Sequence, residues 1–349
     1  MPFASKTGAK AQIKRHQTQM RTIIKTLAVI VGMIGGWSSL SATPPAPMNF
    51  SIALQEGGTA AWEAAAMQEL QLDRLHGVTL DIRLVADSKA GQVALQAGAV
   101  DAILSDFVWV SIQRNAGADF TLVPHSLAVG GVMVKPGGAV ASVAELRGKV
   151  LGVAGGPVDK SFLILQAYYN ARTGRSLTAD ITAEFGAPPM INELLATDAA
   201  QASLNFWHFN ARAKVGGMTE LISVKAMLAD LGVSQQPPLL GWVFSEARAR
   251  AIPEAFTRYL DASFDTKARL LTDDALWDKI RPKMNVGQDD ALFVALRDAY
   301  RAGIVTGYGP ADVQAASETY AVLAKFGGTD LIGDKPDLAA GTFWDGYRK

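Results

Sequence analysis

The feature that most constrains the fold of this chain is a regular alternation of strand and helix patterns from Asn49 onward. Residues 50–54 form a short apolar run typical of a buried strand, and a helix pattern follows over 60–70. Residues 79–85 alternate with a period of two, which indicates a second strand. Because helices here alternate with short apolar strands, the sequence predicts a mostly parallel, doubly wound sheet.

A second strand and helix series begins at 149–154 and includes a long helix over 161–173. Glycine-punctuated or apolar strand patterns at 127–135 and 237–245 stand where the chain passes from one series to the other. The sequence therefore predicts an α/β protein of two lobes joined by two hinge crossings. A hinge between two lobes produces a cleft that closes on a ligand.

This pattern divides the chain into lobes and a helical C-terminal region. We expect the first lobe over 49–128 and 240–280, the second over 129–239, and helices that pack on the lobes over 281–349.

The first 42 residues are expected to be a signal peptide. They contain six Lys and Arg residues and no acid, and then an apolar stretch from Thr26 to Trp37. That stretch is shorter than the roughly 20 residues that span a bilayer. We therefore expect the protein to be exported to the periplasm. The alternative is that the segment stays uncleaved and serves as an N-terminal membrane anchor. Translation from Met20 would give a signal peptide of more ordinary length.

Composition excludes several classes of protein. The chain has no cysteine, which excludes disulfides, thiolate metal sites, a Cys nucleophile and a lipid-modified cysteine. Its 33 basic and 33 acidic residues argue against a dedicated nucleic-acid binder. The exported part keeps all the acids and loses six bases, so it is mildly acidic. His76, His125 and His208 have no neighbours at metal-ligand spacing, so no metal or cofactor is predicted.

Three segments resemble the solute-binding proteins of nitrate/sulfonate/taurine-type ABC importers, including their thiamine-precursor-binding relatives. Residues 88–98 with Val100-Asp101-Ala102 resemble a helix that ends in a G-x-x-DA turn. Residues 142–153 resemble the opening of that family's second lobe, and 253–262 resemble its late helix. The family often repeats a G-x-vDA segment in the second lobe, whereas 197–210 begins Thr197-Asp198-Ala-Ala-Gln-Ala here and does not match it. This departure leaves the ligand class open.

The resemblance implies a type II-like periplasmic binding fold and a role as the substrate-binding component of an ABC importer. The implied partners are a small organic nitrogen- or sulfur-containing solute and an inner-membrane permease. The resemblance implies a monomer that is not an enzyme and binds no nucleic acid. One alternative is a periplasmic sensing protein on the same fold. The other is an enzyme of thiamine-pyrimidine synthesis, whose His- and Cys-rich constellation this chain lacks.

Ligands of open α/β sheets bind beyond the carboxyl ends of strands, where helix N-termini present free N–H groups. Four turns between a strand and a helix fit that description, and an aromatic, amide-rich segment at 205–210, expected to be a loop, adds stacking faces. The candidate ligand-binding residues are Glu56, Gly57, Gly58, Thr59, Trp62, Ser88, Asp106, Phe107, Trp109, Gly155, Gly156, Lys160, Asn205, Trp207 and His208.

Each candidate also has a purely structural interpretation. The glycine pairs suit tight turns, Trp62 and Trp109 suit core gaps, and Asp106 suits a helix cap. Thr59 and Ser88 are expected to cap the helices that follow them. Ligand charge stays open, because helix N-termini with Lys89 and Lys160 favour an anion, while acids and aromatics favour a cation or a nitrogen heterocycle.

Overall fold

A computed structural model describes residues 47–347, so the predicted signal peptide lies outside the described residues. The strands in this range are β1 (Met48–Gln55), β2 (Val78–Val85), β3 (Ala102–Asp106), β4 (Phe120–Ser126), β5 (Gly131–Val134), β6 (Val150–Ala154), β7 (Thr182–Gly186), β8 (Ala202–Asn205), β9 (Thr219–Ser223) and β10 (Leu240–Ser245).

The helices of the same range alternate with these strands and then dominate its C-terminal part. They are α1 (Ala60–Glu69), α2 (Leu72–Leu75), α3 (Ser88–Gln96), α4 (Phe107–Asn115), α5 (Lys160–Thr173), α6 (Leu177–Asp180), α7 (Pro188–Ala196), α8 (Trp207–Val215), α9 (Val224–Asp230), α10 (Glu246–Ala251), α11 (Pro253–Thr272), α12 (Asp274–Ile280), α13 (Asp290–Ala302) and α14 (Pro310–Ile332). Val143–Leu146 and Arg281–Lys283 are 3₁₀ turns.

The strands form two five-stranded sheets with the same topology. The first has the order β2-β1-β3-β10-β4 and the second β7-β6-β8-β5-β9. In each sheet the fourth strand in the order is antiparallel to its neighbours and is the strand that follows a crossing from the other lobe. The chain crosses once between β4 and β5 and once between α9 and β10. The predicted two-lobed α/β fold with mostly parallel sheets is confirmed.

The first lobe is built around a core between β1 and α11. Phe50 and Ile52 on β1 are fully buried. Phe50 stacks on Tyr259 of α11 with ring centroids 4.4 Å apart. Stacked aromatic pairs add stabilisation beyond the apolar area that they bury, which holds α11 against this sheet.

The C-terminal helices contact both lobes. Helix α13 packs on α8 of the second sheet's lobe, while α14 packs on α5 of that lobe and on α4 of the other. Tyr300 of α13 contacts both Trp62 of α1 and Trp207 of α8. In α14, Gly328 has a φ of +56° and kinks the helix. Between residues 47 and 347 the helices are all too short or too polar to cross a membrane.

Several local predictions are wrong. The aromatic segment at 205–210 is not a loop, because Trp207 begins α8 directly after β8. Thr59 makes no side-chain cap bond, and α3 is capped by Asp87 rather than Ser88. Residues 219–223 form β9, a strand that the sequence pattern did not predict.

Candidate functional site

A cavity of about 340 Å³ lies between the two lobes, and we call it the cleft cavity. The first lobe contributes the ends of β1 and β3 and the start of α3. The second contributes the starts of α5 and α8, and the crossing residues 128–130 complete the wall. Because the carboxyl ends of parallel strands meet helix N-termini here, this is the place where α/β sheets bind ligands.

The structure brings seven of the fifteen candidate residues together in the cleft cavity. They are Gly58, Thr59, Ser88, Asp106, Lys160, Trp207 and His208. A neighbouring cavity of about 520 Å³, which we call the side chamber, contains Glu56, Gly57 and Trp62. The two cavities share wall residues that include Thr59 and His208, so they lie on either side of one thin partition.

The other five candidates lie outside both cavities. Phe107 is fully buried and faces Phe343, and Trp109 packs near Phe120. Asn205 is buried and its amide donates to the carbonyl of Pro188 and to Asn192.

The remaining two of those five, Gly155 and Gly156, form the turn before α5. Gly155 has a φ of +93°, a conformation that favours glycine. The two glycines therefore form a turn, and neither of them lines the cleft cavity or the side chamber.

One ion pair joins the lobes across the cleft cavity. Lys160 Nζ, at the start of α5, lies 2.9 Å from Asp106 Oδ2, at the end of β3. The other carboxylate oxygen of Asp106 accepts from the backbone N–H of Trp109 and so caps α4. Asp106 is therefore both a helix cap and an interlobe partner. Its carboxylate raises the pKa of Lys160 above the ordinary lysine value, so the ammonium group stays charged at neutral pH.

Two further carboxylates in the cleft cavity were not among the candidates. Asp87 Oδ1 accepts from Ala90 N at 2.8 Å, and Asp159 Oδ1 accepts from Ser161 N at 2.9 Å. Both are helix caps placed directly after a strand, a position for which Asp is a preferred residue. That preference is the sequence signal that could have found them. Burial raises the pKa of Asp159, and nearby Lys160 offsets this only in part.

His208 lies in the wall shared by the two cavities. Burial, together with the nearby Arg212 guanidinium, lowers its pKa to about 4, so the imidazole is neutral at physiological pH. Its Nδ1 atom is buried and has no hydrogen-bond partner among the described residues. An unpaired buried polar atom costs stability.

Two other helix starts that line the cleft cavity carry no acidic cap. Thr59 precedes α1 and Phe206 precedes α8, and neither side chain caps its helix. Free N–H groups at a helix start attract hydrogen-bond acceptors. Behind them, Arg212 lines the side chamber and donates to the carbonyl of Met284 at 3.1 Å. The cleft cavity is therefore lined by three carboxyl groups, those of Asp87, Asp106 and Asp159, which we call the acidic wall, and by two helix starts without a side-chain cap.

A buried charged cluster lies next to the cleft, on the next turn of α1. Glu63 and Lys267 are 1% and 2% exposed, with Glu63 Oε2 2.8 Å from Lys267 Nζ. Ser263 donates to the same carboxylate at 2.5 Å. Burial alone would raise the pKa of Glu63, but Lys267 and the neighbouring His125 lower it on balance. This cluster joins α1, β4 and α11 and therefore fixes the helix whose start lines the cleft cavity.

Solved structures show where this fold occurs. The alkanesulfonate-binding protein SsuA from Xanthomonas axonopodis pv. citri, bound to MOPS, aligns with a TM-score of 0.64 at 18% identity, over 86% of this chain and 99% of that chain. The periplasmic aliphatic sulphonate binding protein SsuA from Escherichia coli aligns with a TM-score of 0.67 at 15% identity, over 86% and 98%. The chain has the fold of periplasmic substrate-binding proteins.

The same fold also carries an enzyme. The desulfurization enzyme DSZB aligns with a TM-score of 0.56 at 13% identity, over 84% of this chain and 97% of that chain. No family model matches the sequence, and no curated protein matches it at a significant level.

Proposed function

We propose that this protein is the periplasmic substrate-binding component of an ABC importer and captures a small organic solute by closure of its two lobes. The observation that carries the proposal is the cleft cavity, whose polar groups come from both lobes and are joined across it by Asp106 and Lys160. A ligand that contacts both lobes binds the closed state better than the open one and so shifts the population toward closure.

The similar structures support this proposal through their fold. Two of them are sulfonate-binding proteins, and the one from Escherichia coli is a periplasmic protein. The cleft cavity, at about 340 Å³, is within the range of small-molecule sites. We propose a nitrogen- or sulfur-containing organic solute, which suits a cavity lined by Trp207, His208 and Phe206 as well as charged groups.

A distance measurement between the lobes tests the proposal. Because the chain has no cysteine, the variant Leu84→Cys/Val215→Cys places one dye on the exposed face of each lobe. Addition of a metabolite panel is expected to raise energy transfer for at least one solute. A matched pair on the first lobe alone, Leu84→Cys/Val93→Cys, is expected to show no change. If no solute changes the interlobe signal and native mass spectrometry finds no retained ligand, the proposal is wrong.

The enzyme and sensor alternatives need separate readouts. Every solute that closes the lobes should be recovered unchanged by mass spectrometry after prolonged incubation, whereas conversion to a product would establish an enzyme. Stimulation of ATP hydrolysis by a reconstituted permease complex in the presence of the loaded protein would separate transport from sensing.

A further inference from the structure

The geometry points to a ligand that carries a positively charged nitrogen, held at the acidic wall of the cleft cavity. This inference rests on the proposed function and specifies the solute: an ammonium, an amidinium or a protonated nitrogen heterocycle. The two SsuA proteins bind sulfonates, so the inference separates this chain from them.

The first observation is the balance of charge in the cleft cavity. Its wall contains three carboxylates, Asp87, Asp106 and Asp159, and one ammonium group, that of Lys160. His208 adds no charge at neutral pH, because its pKa is lowered to about 4 by burial and by Arg212. Lys160 is already paired with Asp106 at 2.9 Å. The wall therefore contains two more carboxyl groups than ammonium groups.

The second observation is that neither of the other two carboxyl groups forms a direct ion pair, although Lys160 interacts with Asp159 at longer range. Among residues 47–347, neither Asp87 nor Asp159 has a Lys, Arg or His nitrogen within 4.0 Å. Both carboxyl groups accept backbone N–H groups at helix starts through Oδ1. Asp87 is exposed and Asp159 is half-buried, so a cation in the cleft cavity can approach either of them. A cationic ligand supplies the pairing that the chain itself does not.

The third observation concerns the helix starts, where an anion would bind. In α3, α4 and α5 these positions are occupied by Asp87, Asp106 and Asp159, whose carboxylates take the N–H groups that a sulfonate would need. The starts of α1 and α8, which also line the cleft cavity, have no side-chain cap. They suit an acceptor group at the other end of the same ligand. His208, whose Nδ1 has no hydrogen-bond partner within residues 47–347, also lines the cleft cavity.

Three ring compounds of similar size separate charge from shape. Benzylammonium, benzyl alcohol and benzenesulfonate present a cation, a neutral group and an anion on one scaffold. We expect titration calorimetry to find benzylammonium the tightest of the three. The variants Asp87→Asn and Asp159→Asn should each weaken benzylammonium roughly fivefold, since one opposite charge at about 4 Å is lost. They should leave benzyl alcohol unchanged, because Asn keeps the helix cap.

The control variant Asp81→Asn makes the same change in total charge on the surface of β2, away from the cleft, and should not alter affinity. If benzenesulfonate binds tightest, or if Asp87→Asn and Asp159→Asn strengthen its binding while benzylammonium is unaffected, the charge inference is overturned and the binding function survives. Tightest binding by benzyl alcohol has the same meaning. If none of the three binds and no solute changes the interlobe distance, the proposed function fails as well.

Discussion

At the scale of single residues, loss of one partner of the buried pair Glu63 and Lys267 should lower stability more than loss of any ion pair at the surface. Both side chains are almost completely buried, and Lys267 Nζ donates to Glu63 and to Ser263. Loss of one partner of a buried pair leaves an uncompensated charge, which costs about 3–5 kcal/mol. Exposed pairs contribute about 1 kcal/mol or less.

We therefore expect Lys267→Met to lower the free energy of unfolding by about 3 kcal/mol or more. The double variant Glu63→Gln/Lys267→Met should recover a large part of that loss, because the amide is neutral. Urea unfolding followed by circular dichroism measures both values. A loss below about 1 kcal/mol in the single variant would show that the buried pair contributes no more to stability than an exposed pair does.

His125 predicts a pH dependence of stability. Burial, with the nearby Lys267, lowers its pKa to about 3, against an ordinary value of 6.5. Below pH 6.5 the unfolded chain therefore binds a proton that the folded protein does not. Stability should fall as the pH falls from 6.5 toward 3, by about 1.4 kcal/mol for each pH unit from this group.

Urea unfolding at pH 7.5, 6.0 and 5.0 checks this prediction against His125→Gln. Between pH 6.5 and 5.0 most carboxylates do not titrate, so the slope of stability against pH should be smaller in the variant by about the contribution of one histidine. His208, whose pKa is lowered to about 4, should supply part of the slope that remains. Equal slopes in the two proteins would contradict a neutral, buried His125.

Residue identity alone predicts part of the site. Their positions just after predicted strands indicated that Asp106, Lys160 and His208 line a cleft. Strand-end position and capping preference are local properties of the sequence. What the sequence could not show is which side of a turn faces the cleft. Trp62 illustrates this, because its indole N–H donates to the carbonyl of Lys283, 221 residues away.

At the scale of elements, the crossing between β4 and β5 depends on one glycine. A Cβ atom at Gly130 would lie 1.7 Å from the carbonyl oxygen of Asn205, at the end of β8. That oxygen belongs to backbone, which cannot rotate away as a side chain does. At Gly156, by contrast, a Cβ atom would meet nothing within 4 Å.

We expect Gly130→Ala to lower the free energy of unfolding by about 2 kcal/mol or more, or to prevent folding. Gly156→Ala should change it by no more than about 0.5 kcal/mol. Thermal and urea unfolding of the two purified variants provide the comparison, with far-ultraviolet circular dichroism as the check on folding. Similar stability in both variants would mean that the crossing relaxes easily, against the contact seen here.

Most elements were predictable because their signals are periodic and local. The parallel strands of both sheets and the long helices α11 and α13 have clear patterns. Strand β9 was missed because Thr219–Ser223 is only half-buried and lies at the edge of its sheet, so its pattern lacks a continuous apolar run. The start of α8 was missed because aromatic residues are weak helix formers, and its packing on α13 is a distant contact.

At the scale of the whole molecule, the two lobes have the same strand connectivity. Each receives an antiparallel strand from the other, so both crossings enter through the middle of a sheet and not at its edge. Among the described residues that line the cleft cavity, only Asp106 and Lys160 form an ion pair between the lobes. The C-terminal helices contact both lobes as well, through Trp62, Trp207 and Tyr300. Lobe motion is therefore restrained by aromatic packing and biased by one charge pair.

That bias can be measured without knowledge of the ligand. The side chains of Lys160 and Asp106 are 34% and 19% exposed, so the pair is partly screened and contributes about 1 kcal/mol, a factor of about five in the population of lobe states. In the protein labelled at Leu84→Cys and Val215→Cys, Lys160→Met should lower the interlobe energy transfer. One molar salt should move the parent protein toward the same value, since screening then acts over about 3 Å. Salt should have little effect on the Lys160→Met protein, and adding Asp106→Asn to it should cause little further change. If neither the substitution nor the salt changes the interlobe energy transfer, the aromatic contacts of Trp62, Trp207 and Tyr300 determine the position of the lobes instead.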